Sequence, residues 1–227
     1  MRINFIVILV FCLAVSGRAQ QSEVRQIGAF QALRVSEAID VYLKKGEKES
    51  VKVEATGTDL SNVLTEVNGP TLKIHMRDGN FRGRKSVKVY VTYTRLEKLS
   101  ASSASNLFST DLIKSGKLEI SVSSAGSVEV KLESESVIVN ASSAGKTVLE
   151  GNTKSLEIEA SSAGDIDAYN LESEIVNVSV SSAGSANINV SKELQAHASS
   201  GGSIRYRGNP LKTNTDSSSG GSVKKTN

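Results

Sequence analysis

The tetrapeptide Ser-Ser-Ala-Gly recurs along the second half of the chain, starting at Ser123, Ser142, Ser161 and Ser181. A variant, Ser102-Ser103-Ala104-Ser105, precedes it, and Ser199-Ser200-Gly201-Gly202 and Ser218-Ser219-Gly220-Gly221 follow. Successive starts lie 21, 19, 19, 20, 18 and 19 residues apart, a period typical of solenoids, in which each repeat packs only on its neighbours. Counting back five, three and one residues from each motif gives Leu118, Ile120, Val122; Val137, Val139, Ala141; Leu156, Ile158, Ala160; Val176, Val178, Val180; and Leu194, Ala196, Ala198. These alternate with mostly polar residues such as Glu119, Ser121, Glu157 and Glu159. A period of two marks a strand with one buried face. Because the same column is apolar in every repeat, the strands should stack in register.

A second short strand should follow each motif, carried by Val128, Thr147, Ile166, Ala186 and Ile204, then by Val130, Leu149, Ala168, Ile188 and Tyr206. A third has room near Leu132, Leu171 or Val190. The motif glycine falls between strands, where a corner needs backbone freedom. Strand parity continued from Val122 puts Ser124 inside, and likewise Ser143, Ser162, Ser182, Ser200 and Ser219. The expectation is an internal ladder of hydroxyls at this corner, each needing a partner because an unpaired buried hydroxyl costs about 1–3 kcal/mol. The spacing, which is no strict multiple of six, predicts an all-β, right-handed parallel β-helix (β-solenoid) of about 19 residues per turn. Six intervals at ~4.8 Å per turn would make a rod roughly 29 Å long.

Residues 1–20 read as an export signal: Arg2, an apolar run from Phe5 to Val15, then small residues, with cleavage expected after Ala19. The run is too short to span a bilayer. Cys12, the only cysteine, lies within it behind the bulky Phe11, which does not suit lipidation, so the mature chain must be held by packing and hydrogen bonds. The signal removes two arginines, leaving 25 Lys+Arg against 24 Asp+Glu, a balance that gives no reason to expect nucleic acid as a partner. One basic cluster, Arg77, Arg82, Arg84, Lys85 and Lys88 around Asp78-Gly79, reads as a solvated hairpin loop.

Residues 21–100 form a less regular β-rich part, and residues 101–227 carry the regular repeats. In the first part, alternation marks Leu33 to Leu43, Val51 to Ala55, Leu72 to Met76 and Val87 to Tyr93. Turns are signalled at Lys45-Gly46, Asn68-Gly69-Pro70 and Asp78-Gly79-Asn80. The stretch Val35 to Leu43 can be laid over Val122 to Val130 as a degenerate first turn, so this half can supply the end unit that a solenoid needs. At the other end the apolar columns turn polar at Thr213, Thr215 and Ser217, which blunts the exposed edge.

Phe30, Val35-Ser36 and Val41-Tyr42-Leu43, then Asn68-Gly69-Pro70-Thr71-Leu72-Lys73-Ile74, then Val87 to Val91 and Leu96 to Ser103 leading into small-residue repeats make an ordered series. In that order and period the chain resembles the secreted Bacteroidetes-type autotransporter adhesin, head GIN domain family. The resemblance implies the solenoid fold and an adhesin-like, cell-surface role. A literal Gly-Ile-Asn motif is replaced here by variants such as Ala186-Asn187-Ile188-Asn189.

Export, repetition and the resemblance together predict an extracytoplasmic, non-enzymatic binding or structural module. The expected partner is a glycan or a cell-surface or extracellular protein, with membrane contact peripheral at most and a homo-oligomer compatible with the flat faces. No residue is singled out as catalytic, cofactor-binding or metal-ligating, and no cofactor is expected. The alternative is a polysaccharide-acting enzyme on a β-helix scaffold, for which Asp165 and Asp167 with Glu150 or Glu129 would have to form an acidic patch. A crystal- or ice-binding face would need a regular outward threonine column, which the repeats lack.

Overall fold

The computed structural model describes residues 20–77 and 85–226. The export signal therefore lies outside the described residues but for its last position, as do Arg82, Arg84 and the expected turn at Asp78-Gly79-Asn80. After β1 (Gln21–Arg25), β2 (Ala32–Val35) and β3 (Asp40–Lys45) make a first coil. The chain then leaves the coil path through β4 (Ser50–Thr56), a short 3-10 turn, β5 (Val63–Asn68), β6 (Thr71–Met76) and β7 (Ser86–Tyr93). Coiling resumes at β8 (Lys98–Ala101) and continues in long strands: β9 (Asn106–Val122), β10 (Ser127–Ala141), β11 (Lys146–Ala160), β12 (Asp165–Val180) and β13 (Ser185–Ala198). The last coils are β14 (Ser203–Arg207), β15 (Lys212–Ser217) and β16 (Ser222–Lys225).

The result is a parallel β-solenoid of about seven turns. Its coils stack in the register expected from the apolar columns, Val122 on Ala141, Ala160, Val180 and Ala198 in turn. Val35 pairs with Ala101, which pairs with Val122; Asp40 pairs with Asn106, which pairs with Ser127. The degenerate first turn thus holds residue for residue. The expected third short strand is not separate: Leu132, Leu171 and Val190 are buried within continuous, bent strands. Variation in repeat length is absorbed at bulges, such as the register shift that leaves Thr110 and Asp111 unopposed between β9 and β10.

At the N-terminal end the excursion forms the cap. β4 lies between β1 and β7 and is antiparallel to both along one side, β5 and β6 form a hairpin on the other, and β7 and β6 join the first coil in parallel. Arg25 ties the two sides together, donating to the Val63 and Leu60 carbonyls at 2.6 and 2.9 Å. Tyr42, exposed in sequence terms between buried neighbours, stacks on Tyr90 of the cap and Phe108 of the next coil, with ring centroids 5.3 and 5.4 Å apart. At the other end β15 is exposed throughout and β16 carries no fully buried side chain. The Tyr169 hydroxyl meets Thr226 Oγ1 at 3.2 Å, and the Arg207 guanidinium lies 4.8 Å from the Tyr169 ring centroid, clasping the last coil.

The Ser-Ser-Ala-Gly corner departs from the expected parity. Ser124 and Ala125 both have positive φ, 49° and 58°, and the Gly126 N–H donates to the Ser123 carbonyl at 2.9 Å, the hallmarks of a type I′ turn. The same geometry recurs at Ser143-Ala144, Ser162-Ala163 and Ser182-Ala183. Two left-handed residues turn the second serine outward, so Ser124, Ser143, Ser162, Ser182, Ser200 and Ser219 are exposed. The internal hydroxyl ladder expected at this corner does not exist. The motif glycine is buried instead and has ordinary negative φ: its role is close approach, since a Cβ on Gly145 would lie 2.7 Å from the Val122 carbonyl oxygen.

Left-handed backbone costs about 1–2 kcal/mol per non-glycine residue, and hydrogen bonds between corners offset it. The N–H of Ala125 donates to Ser143 O, Ala144 to Ser162 O, Ala163 to Ser182 O and Ala183 to Ser200 O, all at 3.0–3.1 Å. Glycine replaces alanine in the last two corners, at Gly201 and Gly220. Opposite effects are expected from adjacent substitutions: Ala144→Gly should leave stability unchanged or raise it by up to about 1 kcal/mol, whereas Gly145→Ala should lower it by several kcal/mol. Urea unfolding of both variants checks this. Thr147 stands in a buried apolar column with its hydroxyl unpartnered, so Thr147→Val should raise stability by about 1 kcal/mol, read as an upward shift of the denaturation midpoint.

Candidate functional site: an axial trough

Hydroxyls do line the interior of a corner, but on the opposite side of the coil. Strand parity reverses there, between Ser134 and Val137 in β10, and Ser134, Thr153 and Ser173 are buried in successive turns. Each satisfies a nearby carbonyl: Ser134 Oγ donates to Ser136 O at 2.9 Å and Thr153 Oγ1 to Ser155 O at 3.0 Å. Ser115 donates to Ser134 Oγ and Ser191 to the Ser173 carbonyl, both at 3.3 Å. Small side chains at this column lower the surface relative to its two flanking columns. The flanking residues then form walls around a trough of about 1110 Å³ that spans five turns, roughly 19 Å along the axis.

The walls differ. One is an alternating charge ladder of Glu135, Lys154, Glu174 and Lys192 in successive turns, with Lys154 to Glu135 at 2.8 Å and Lys192 to Glu174 at 2.7 Å. Lys154 holds the Glu135 carboxyl below its ordinary range, and Glu135 in turn raises the Lys154 ammonium. The other wall starts with Lys114 paired to Glu133 at 2.8 Å and continues as Asn152, Glu172 and Asn189, in register with one another. No hydrogen bond or ion pair engages these last three side chains among the described residues.

The acidic patch considered for an enzyme is not assembled. Val148 separates Asp167 from Glu129 in their shared column, and Glu150 pairs with Lys131 at 3.0 Å. Asp165 accepts from Ser185, and Asp167 accepts from the Tyr169 N–H at 3.1 Å. In the basic cluster, Arg77 donates to Ser61 O at 3.2 Å and Lys88 sits opposite Glu54. Among the described residues no group of three or more His, Cys, Asp or Glu could hold a metal ion, and no helix is long and apolar enough to cross a membrane. Sequence reading missed the trough because its floor residues, Ser115, Ser134, Thr153 and Ser173, carry no recurring word. The available signal was a small hydroxyl eleven to thirteen residues after each of the first four motif starts, framed by charge.

Residues 29–210 match the model of the family described as "Putative auto-transporter adhesin, head GIN domain". The chain belongs to this family. The head GIN domain fold is also seen in solved structures whose sequences are distant. A "putative adhesin" from Bacteroides fragilis is 18% identical with a TM-score of 0.83, covering 92% of this chain and 98% of that one. A "putative adhesin" from Parabacteroides merdae is 20% identical with a TM-score of 0.74, covering 92% and 96%. A "putative lipid binding protein" from Parabacteroides distasonis is 18% identical with a TM-score of 0.72, covering 92% and 97%. No curated protein matches the chain.

Because the Glu135 pKa is depressed in the fold, the ion pair contributes stability above the unfolded carboxylate value of 4.5 and loses it as pH falls through the lower folded value. Both partners are exposed, so the contribution is small. Melting temperatures of wild type and Glu135→Gln should differ slightly at neutral pH and converge below the carboxylate range, as a pH series of thermal melts will read.

Proposed function

We propose that the protein is a non-enzymatic, extracytoplasmic binding module of the cell envelope, adhesin-like in role, and that it receives an extended polyhydroxylated chain in the axial trough. The observation that carries this reading is the trough itself: a groove along the axis, floored by hydroxyls that donate to backbone carbonyls and walled by polar side chains at every turn. Its periodicity suits a polymer better than a compact ligand, since each coil offers a similar contact about 4.8 Å further on. Three of the trough's four glutamates, Glu133, Glu135 and Glu174, are held by lysines, which leaves no free pair of carboxylates there and supports recognition over bond cleavage. Export by the N-terminal signal and the adhesin-like family fit a location at the cell surface or beyond it.

The test is a glycan array probed with the mature chain and with Asn152→Arg, which fills the trough from an exposed position. Saturable binding that the variant loses, with unchanged melting temperature and no release of reducing ends, is the expected result. Binding that survives Asn152→Arg moves the site elsewhere, and reducing ends released by wild type overturn the non-enzymatic reading.

A further inference from the structure

The trough holds two lysines, Lys114 and Lys154, against four glutamates, Glu133, Glu135, Glu172 and Glu174. Both lysines are engaged by carboxylates within 2.8 Å, and Glu174 is engaged by Lys192 at the rim. The trough therefore has no free cation to offer a polyanion, and one carboxylate, Glu172, is left over. Glu172 is exposed and pairs in register with Asn152 on one side and Asn189 on the other. The opposite wall has its charges satisfied by the Glu135–Lys154–Glu174–Lys192 ladder, so the hydrogen-bonding capacity of the trough lies on the Asn152–Glu172–Asn189 side. An amide can donate to and accept from sugar hydroxyls, whereas an unpaired carboxylate accepts only and favours a cationic donor.

Resting on the trough as binding site, we infer that its ligand is an amine-bearing glycan. A free ammonium on one sugar sits on Glu172, and the hydroxyls of the sugars before and after it are taken by Asn189 and Asn152. The one-coil spacing of these three side chains sets the distance over which the ligand is read, and uronate-, sulfate- or phosphate-rich chains are turned away by the net negative lining.

The experiment titrates the mature chain, Glu172→Gln and the double variant Asn152→Leu/Asn189→Leu with glucosamine oligosaccharides and with fully N-acetylated oligosaccharides of matched length, by calorimetry at low and high salt. All substituted positions are exposed or half-buried on the wall, and thermal melts check folding. Wild type should bind the amine form about tenfold more tightly than the acetylated one. Glu172→Gln should abolish that preference, high salt should narrow it, and the double variant should weaken both ligands. Equal binding of the two forms, a preference that survives Glu172→Gln, or no binding of the amine form overturns the amine assignment. Loss of acetylated-chain binding in the double variant, with no amine preference in wild type, overturns only that assignment and leaves the trough as the site.

Discussion

The stacking of one corner on the next governs this molecule. Each Ser-Ser-Ala-Gly turn closes on itself through the glycine N–H and is bonded to the following turn through the alanine N–H. Because side chains in a strand alternate with a period of two, a slip of one residue would turn every apolar column outward. The corner forbids that slip. Two left-handed residues cannot be moved along the strand without large strain, and a buried glycine packed against a carbonyl of the previous coil admits no larger residue. The strands between corners are then free to bulge, as at Thr110-Asp111 and Tyr169, without disturbing the register of the columns beyond them.

That division explains what could be read from sequence. The columns from Leu118 to Ala198 were legible because burial of an alternating face is a local, repeated requirement, and every one of them is in the core. The parity of the second serine was not, because it was carried across Ser124 and Ala125 as if the backbone stayed extended. The motif looked as though glycine supplied the unusual conformation, when in fact serine and alanine adopt it and glycine makes room. Ser105 and Ile39 show the same point from the other side. Ser105 replaces the glycine, and its hydroxyl bonds back to the Val35 and Ser102 carbonyls. Ile39 takes the glycine position in the first coil and is fully buried there.

The cap was only partly legible for a different reason. Its strands β4, β6 and β7 show alternation, but their partners are set by pairings distant in sequence, and the direction of a strand leaves no trace in its pattern. The stack of Tyr90, Tyr42 and Phe108 depends on β7 lying beside β3, which follows only once the excursion is folded back. Both faces of Tyr42 are covered by its neighbours in this stack, so the ladder binds cap to coil.

The trough arises from the same economy of space. A coil must reverse parity somewhere to close, and the reversal here falls where small hydroxyls can turn inward and bond to carbonyls within two residues. Their one donor each is spent and their side chains are buried, so recognition passes to the flanking columns, whose side chains point outward and are free of any packing role. On one flank the charges cancel turn by turn and stabilise nothing beyond the rim. On the other the pattern breaks after Glu133, and Asn152, Glu172 and Asn189 remain unengaged. In a rod whose backbone repeats every coil, only such a local break in an outward column can give one position along the axis an identity of its own.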